Sequence, residues 1–162
     1  MPILLCKNIH LNKLKILFSR FGLSTEIVDD NADIPGSFWQ APEAGLIGHT
    51  LYIRHDTPVH SALHEACHFI CMDENRRATL HTDAGGRSAI EEDSVCYLSI
   101  LLSEYIEEMG KQRMFSDMDE WGYSFRLGSA QAWFEQDAED AQAWLIKKKI
   151  ITGTNEPCWR VR

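Results

Sequence analysis

The chain has 162 residues, 44% of them hydrophobic and 25% charged, with 24 acidic against 16 basic side chains and a formal charge of −8. That acidity argues against general nucleic-acid binding, which draws on surplus Lys and Arg, although Arg76-Arg77, Lys147 to Lys149, and Arg160 with Arg162 form local basic patches. Size and composition fit one soluble globular domain over residues 1–162. No apolar run approaches the ~20 residues that cross a bilayer and no signal-peptide pattern opens the chain, so the expected location is cytoplasmic, with no membrane partner.

In chain order, Asn8 is placed to cap a first helix, with Leu11, Leu14, Leu17, Phe18 and Phe21 at helical spacing and Gly22 at its end. Residues 25–28 read as a short strand. Residues 29–45 are rich in turn formers and read as a long loop, with Phe38 and Trp39 as a hydrophobic plug or a mobile cleft lining. Residues 46–54, with Thr50, Tyr52 and Ile53, read as the best strand. A helix follows over 59–72, capped by Asp56 or Thr57, with Pro58 tolerated at its start.

Beyond it, Thr82-Asp83-Ala84-Gly85-Gly86 suits a flexible connection. Residues 90–109 read as a strong helix ended by Gly110, with Val95, Leu98, Leu101, Leu102, Tyr105 and Ile106 on its apolar face. Residues 116–123 read as a short helix. Ser129 caps a long final helix to about residue 149, whose acidic start and lysine-rich end suit the macrodipole. The tail from 152 has no clear pattern. The expected fold class is α+β: a small mixed or antiparallel sheet packed against two helices, with a helical C-terminal half.

The second of these helices carries His64-Glu65-Ala66-Cys67-His68, an H-E-x-x-H pattern. At 3.6 residues per turn both imidazoles share one face and can reach one metal ion, while Glu65 projects toward a water as general base. His60 extends this row by one turn. Five cysteines, none in a C-x-x-C pair, suit free thiols in a reducing compartment; Cys67 and Cys71, one turn apart, read as small buried side chains rather than thiolate ligands.

A catalytic metal needs a third protein ligand. The metzincin extension fails here, because Cys71 stands at its glycine position and Glu74 at its last histidine position. Glu91 and Glu92 follow His68 by 23 and 24 residues on the next helix. Glu91 is in line with Val95, Leu98 and Leu102, whereas Glu92 is in line with Cys96, Ser99 and Ser103. Small residues allow close helix approach, which favours Glu92 over Glu91 as the ligand. Asp73, Asp83 and Asp93 are candidates to orient ligand imidazoles. Tyr97 and Tyr105 are candidates to stabilise an oxyanion.

The H-E-x-x-H helix followed by a second helix with a glutamate resembles the gluzincin arrangement of the zincins. A longer resemblance runs through Ser61-Ala62-Leu63-His64-Glu65, His68, Phe69 and Arg76-Arg77. It extends to Leu17-Phe18, the strand ending near His55, and Arg126-Leu127 with Ala130-Gln131. Over these residues the chain looks like the elongation factor P hydroxylase family. That resemblance implies a zincin-like fold with a two-histidine, one-carboxylate metal site that hydroxylates a modified lysine, with His64, His68 and Glu91 or Glu92 as ligands. Cys96-Tyr97-Leu98-Ser99 departs from the family's lysine- and proline-containing stretch.

Zinc in this site would make the protein a hydrolase of peptide or amide bonds, the first expectation, with strand 46–54 pairing with an extended peptide or protein substrate. Iron in the same ligands is the alternative and would support hydroxylation. A third reading is a non-catalytic interaction domain presenting an exposed Trp159 and the basic tail.

Overall fold

The computed structural model describes residues 2–37, 42–81, 85 and 88–162. Within them run α1 (Leu11–Ser19), β1 (Ser24–Ile27), β2 (Gly45–Ile47), β3 (Thr50–Ile53), α2 (Val59–Cys71), α3 (Glu74–Ala78), α4 (Ala89–Ser103), α5 (Gly110–Trp121), α6 (Ala130–Gln136) and α7 (Glu139–Lys147). The class is α+β, with a small mixed sheet and a helical C-terminal half. No helix among the described residues is long and apolar enough to cross a membrane.

The sheet has the order β1-β3-β2. β3 lies parallel to β1, pairing Ser24 with Thr50 through Ile27 with Ile53, and antiparallel to β2, pairing Gly45 with Tyr52. Its two-residue period places Leu51 and Ile53 in the core, while Thr50 and Tyr52 face outward. Residues 46–54 are therefore a hairpin and not one strand. Gly48 adopts φ +57° at the first of two turn positions, a conformation that suits Gly-X hairpins. Because β3 is paired on both sides, it has no edge to offer an extended substrate. The outer side of β2 carries a bridge from Ile47 to His81.

α2 is buried nearly all round, as befits a helix rich in Ala, Leu, Phe, Ile and Cys at the centre of a core. It packs on the sheet through β2 and β3 and along α4 on its other side. Full burial of Leu63, Phe69 and Ile70 contributes roughly 1.5–3 kcal/mol each, which anchors the helix against the polar groups it carries. Neither Asp56 nor Thr57 caps it. Pro58 occupies the N-cap position, Asp56 pairs with Arg54, and Thr57 Oγ1 accepts from the Arg54 N–H at 2.8 Å. The Val59 N–H donates to Leu4 O at 2.9 Å instead.

Other boundaries move for identifiable reasons. Asn8 lies in a 3₁₀ turn, and α1 begins after His10, whose N–H donates to the Glu108 carboxylate at 3.0 Å. α4 stops at Ser103, where i→i−3 bonds from Glu104, Tyr105 and Ile106 tighten the chain into turns. Gly110 opens α5 rather than ending α4, and Glu104 accepts from the Lys111 N–H at 3.0 Å. Ser129 does cap its helix, accepting from Ala132 N–H at 3.1 Å. The long final helix is split in two at residues 137–138, where Arg126 pairs with Asp137.

The tail is non-helical but docked. Cys158 N–H donates to Ile150 O at 2.8 Å and Arg162 N–H to Ile70 O at 2.9 Å. Trp159 is packed by Arg20, Phe21 and Tyr105 and is not the exposed contact residue expected. Phe38, Trp39 and most of the 82–86 connection lie outside the described residues.

Candidate metal centre

His64 and His68 stand one turn apart on α2 with their Nε2 atoms 3.1 Å from each other and their rings nearly perpendicular. Glu65 joins them: one ligand atom from each of the three residues lies within 4.8 Å of the others, a cluster able to hold a metal ion. A tetrahedral ion with bonds of about 2.0–2.1 Å sets its ligand atoms about 3.4 Å apart. The Nε2 pair comes close to that spacing. Imidazole and carboxylate donors suit zinc and iron alike, so the donor set leaves the metal's identity open.

The two neighbouring glutamates of α4 part company. Successive helical residues diverge by about 100°, so only one of them can face α2. Glu92 Oε1 lies 3.4 Å from His68 Nε2, and Glu92 Oε2 lies 3.9 Å from His64 Nε2. The first of these is the edge of that tetrahedron, and the second, to the other oxygen, is longer. Glu91 turns away: Oε2 accepts from Arg76 Nη1 at 2.9 Å, and Oε1 from Arg162 Nη1 at 3.2 Å. Ser99 and Ser103, in line with Glu92, are buried, and α4 packs along α2.

Burial sets the charge state of the cluster. It pushes His68 down to about 4, with the Arg76 charge adding to the effect. It pushes His64 down as well, assisted by His68 and opposed by Glu92. Both rings are therefore neutral near pH 7, the form that offers a lone pair to a metal. Nδ1 of each ring is buried with no hydrogen-bond partner among the described residues. Retaining such a group costs about 1–3 kcal/mol, so the site holds polarity that packing alone would not select. Glu65 is pushed up to about 8 by burial first, then by the charges of Glu92 and Glu43.

A cavity of about 310 Å³ opens beside His64 and Glu65, lined also by Glu43, His60, Ser61, Trp121, Gly122 and Tyr123. Tyr123 is the residue that sequence reasoning missed. It follows Gly122, the left-handed cap of α5, and its N–H folds back to Met118 O at 3.0 Å. Its ring meets His64 edge-on at 5.6 Å. Its hydroxyl lies 3.2 Å from Nδ1 of the fully buried His60. Burial raises the Tyr123 phenol well above its ordinary pKa, so it stays protonated. The available signal was the His60-His64-His68 row, which marks His60 as facing the same cleft.

The other candidates lie elsewhere. Tyr97 bonds Asn155 and stacks on Phe134 in the core, and Tyr105 is 48% exposed against Trp159. Asp73 caps α3 by accepting from Arg76 N–H at 2.9 Å, and Asp93 lines a separate cavity with Arg126 and Asp137. Asp83 lies outside the described residues. Glu74 lines a groove with Phe69 and Arg77. His55 pairs with Asp30, and His49 meets Phe69 edge-on. Cys67, Cys71 and Cys96 have their thiol pKa values raised by burial, which keeps them from acting as thiolates.

No protein-family model matches this chain, nor does any curated protein or any solved structure.

Proposed function

We propose that this protein is a zincin-like metalloenzyme, most simply a zinc-dependent hydrolase of peptide or amide bonds. The reading is carried by one observation: both Nε2 atoms of the H-E-x-x-H helix and the Glu92 carboxylate converge within 3.1–3.9 Å at the edge of a cavity. In this reading His64, His68 and Glu92 hold the ion. A cation held there supplies Lewis-acid polarisation of a carbonyl and acidification of a water.

The chain's own groups then divide the work. Glu65, ionised once a cation offsets the neighbouring acids, accepts the proton of the attacking water as its oxygen bonds to the carbonyl carbon. It passes that proton to the amine as the C–N bond breaks. Tyr123, held neutral by burial, donates its hydroxyl proton in a hydrogen bond to the developing oxyanion, and His60 fixes the phenol's position. Trp121 and Tyr123 shape a space of side-chain size, which suits one side chain of a peptide or protein bound at the cavity mouth.

Elemental analysis of protein purified without added metal, followed by peptide-library cleavage, tests this reading. The expected result is stoichiometric zinc with cleavage that Glu65→Gln abolishes. Bound iron with oxygen uptake and no cleavage would replace hydrolysis with hydroxylation, the activity implied by the elongation factor P hydroxylase resemblance.

A further inference from the structure

A groove of about 640 Å³ lies where the end of α1, the β2–β3 turn, α2, α3 and the tail meet. Among the described residues it shares no lining side chain with the cavity beside His64 and Glu65. Phe21, Phe69 and Val161 give it apolar walls. Arg77, Arg160 and Arg162 bring three guanidinium groups to it, against the one carboxylate of Glu74. In a chain of formal charge −8 that local balance has the opposite sign.

The tail side of the groove is built at a conformational cost. Trp159 adopts φ +58°, the left-handed region that bulky side chains rarely enter. Its ring is held by the Arg20 guanidinium, 3.2 Å from the ring centroid, and by Phe21 at 5.4 Å. The chain turns at this fixed residue, and the next three residues all line the groove. Strained backbone of this kind is concentrated at ligand sites.

The three arginines differ in the donors they have left. Arg162 is committed, its Nη1 donating to Cys71 O at 3.3 Å and to Glu91 Oε1 at 3.2 Å. Arg77 is only 5% exposed; its Nε donates to Phe69 O at 2.9 Å, and its Nη2 donates to Met72 O and Arg162 O. Its Nη1 has no hydrogen-bond partner among the described residues. Arg160 is exposed, with no side-chain hydrogen bond or ion pair among them. A withdrawn guanidinium with unused donors is under-satisfied, and an anionic acceptor satisfies it most strongly.

We propose that this groove is a second binding site, for an amphipathic organic anion: a carboxylate carried on an aromatic or branched apolar body. The carboxylate takes the open donors of Arg77 and Arg160, and the body lies along Phe21, Phe69 and Val161. Apolar walls, a few convergent polar groups and a volume within about 300–1,000 Å³ are the usual form of a small-molecule site. A small hydrated anion such as phosphate gains nothing from those walls. The site goes beyond the metal centre proposed above and does not depend on it.

Calorimetric titration of the full chain with phenylbutyrate, its neutral amide, acetate and inorganic phosphate tests this, with ¹H–¹⁵N NMR shifts to locate binding. Phenylbutyrate is expected to bind at one site per chain, at least about tenfold more tightly than the other three, and to move the amides of Phe69, Arg77 and Val161. Arg160→Gln should weaken it about fivefold, and Glu74→Gln should strengthen it about twofold, as befits exposed charges. Both positions are exposed, and thermal unfolding checks that each variant stays folded. Equal affinity for the acid and its amide, phosphate or acetate binding as tightly, or shifts confined to other residues overturns the proposal. So does an acidic peptide that binds where phenylbutyrate does not, which would make the groove a protein-docking surface. None of these results bears on the metal centre, which stands or falls on metal content.

Discussion

The hydroxyl of Tyr123 lies 3.2 Å from Nδ1 of His60, although 63 residues separate them in the chain. α2 supplies the imidazole and the turn after α5 supplies the phenol, so the pair joins the H-E-x-x-H helix to the wall of the cavity. The hydroxyl of Tyr123 can serve as a donor to the substrate, while the edge-on contact of its ring with His64 is one that a phenylalanine would keep. Tyr123→Phe is therefore expected to leave metal affinity unchanged and to lower kcat by about 10²-fold with little change in KM, as for loss of one oxyanion donor. Steady-state kinetics on the cleaved amide, paired with metal titration, checks this. Full turnover in Tyr123→Phe removes the phenol from the mechanism.

Glu65 is expected to make metal binding pH-dependent in a defined direction. Its pKa without a cation is about 8, above the ordinary carboxylate value of 4.5, so the group is mostly protonated at pH 7. A nearby dication favours the ionised form, and binding at pH 7 should release up to about one proton. His68, pushed down to about 4, is already neutral and releases none. Release fades above pH 8, where Glu65 ionises by itself, and apparent affinity rises by up to about tenfold per pH unit between 6 and 8. Calorimetry in buffers of different ionisation enthalpy measures the proton count. Glu65→Gln should abolish it; an unchanged release would assign the proton to another group.

Glu92→Ala should weaken metal binding by more than the roughly 10–100-fold typical of residues that only support a ligand. Equal small losses in Glu92→Ala and in an exposed-acid control such as Glu120→Ala would show that Glu92 contributes only general negative charge.

Gly45 is fixed by close approach of backbone. A Cβ there would lie 2.1 Å from Pro35 O, and 2.5 Å from both Gly36 C and Ser37 N, atoms that cannot swing aside. Gly45→Ala should destabilise the chain by about 1–3 kcal/mol, as overpacking does, through displacement of the 34–37 turn from β2. Denaturant unfolding reads this directly, and wild-type stability in the variant would mean the turn moves freely.

The H-E-x-x-H helix and the convergence of its two imidazoles were legible in the sequence because the signal is local: four residues of spacing put them on one face whatever surrounds them. The choice between Glu91 and Glu92 was partly legible. The row of Cys96, Ser99 and Ser103 pointed to the close α2–α4 contact, but nothing local announced that Arg76 and Arg162 would take Glu91. Tyr123 was hidden for the same reason, since its partner His60 is remote in sequence. Boundaries shifted where a tertiary contact outweighed a periodic pattern. Residues 46–54 read as a continuous strand until Gly48 folds them into a hairpin, and apolar spacing past Ser103 persists although the backbone turns there.

Cobalt substitution tests the central claim most directly. Co²⁺ titrated into the metal-free chain should give visible d–d absorption that saturates at one ion per chain, with intensity typical of a four- or five-coordinate nitrogen and oxygen site. Zn²⁺ should displace it, and His64→Ala or His68→Ala should abolish it while the protein stays folded. Absence of stoichiometric binding, or an identical spectrum in the folded His64→Ala and His68→Ala variants, would contradict a metal centre on α2.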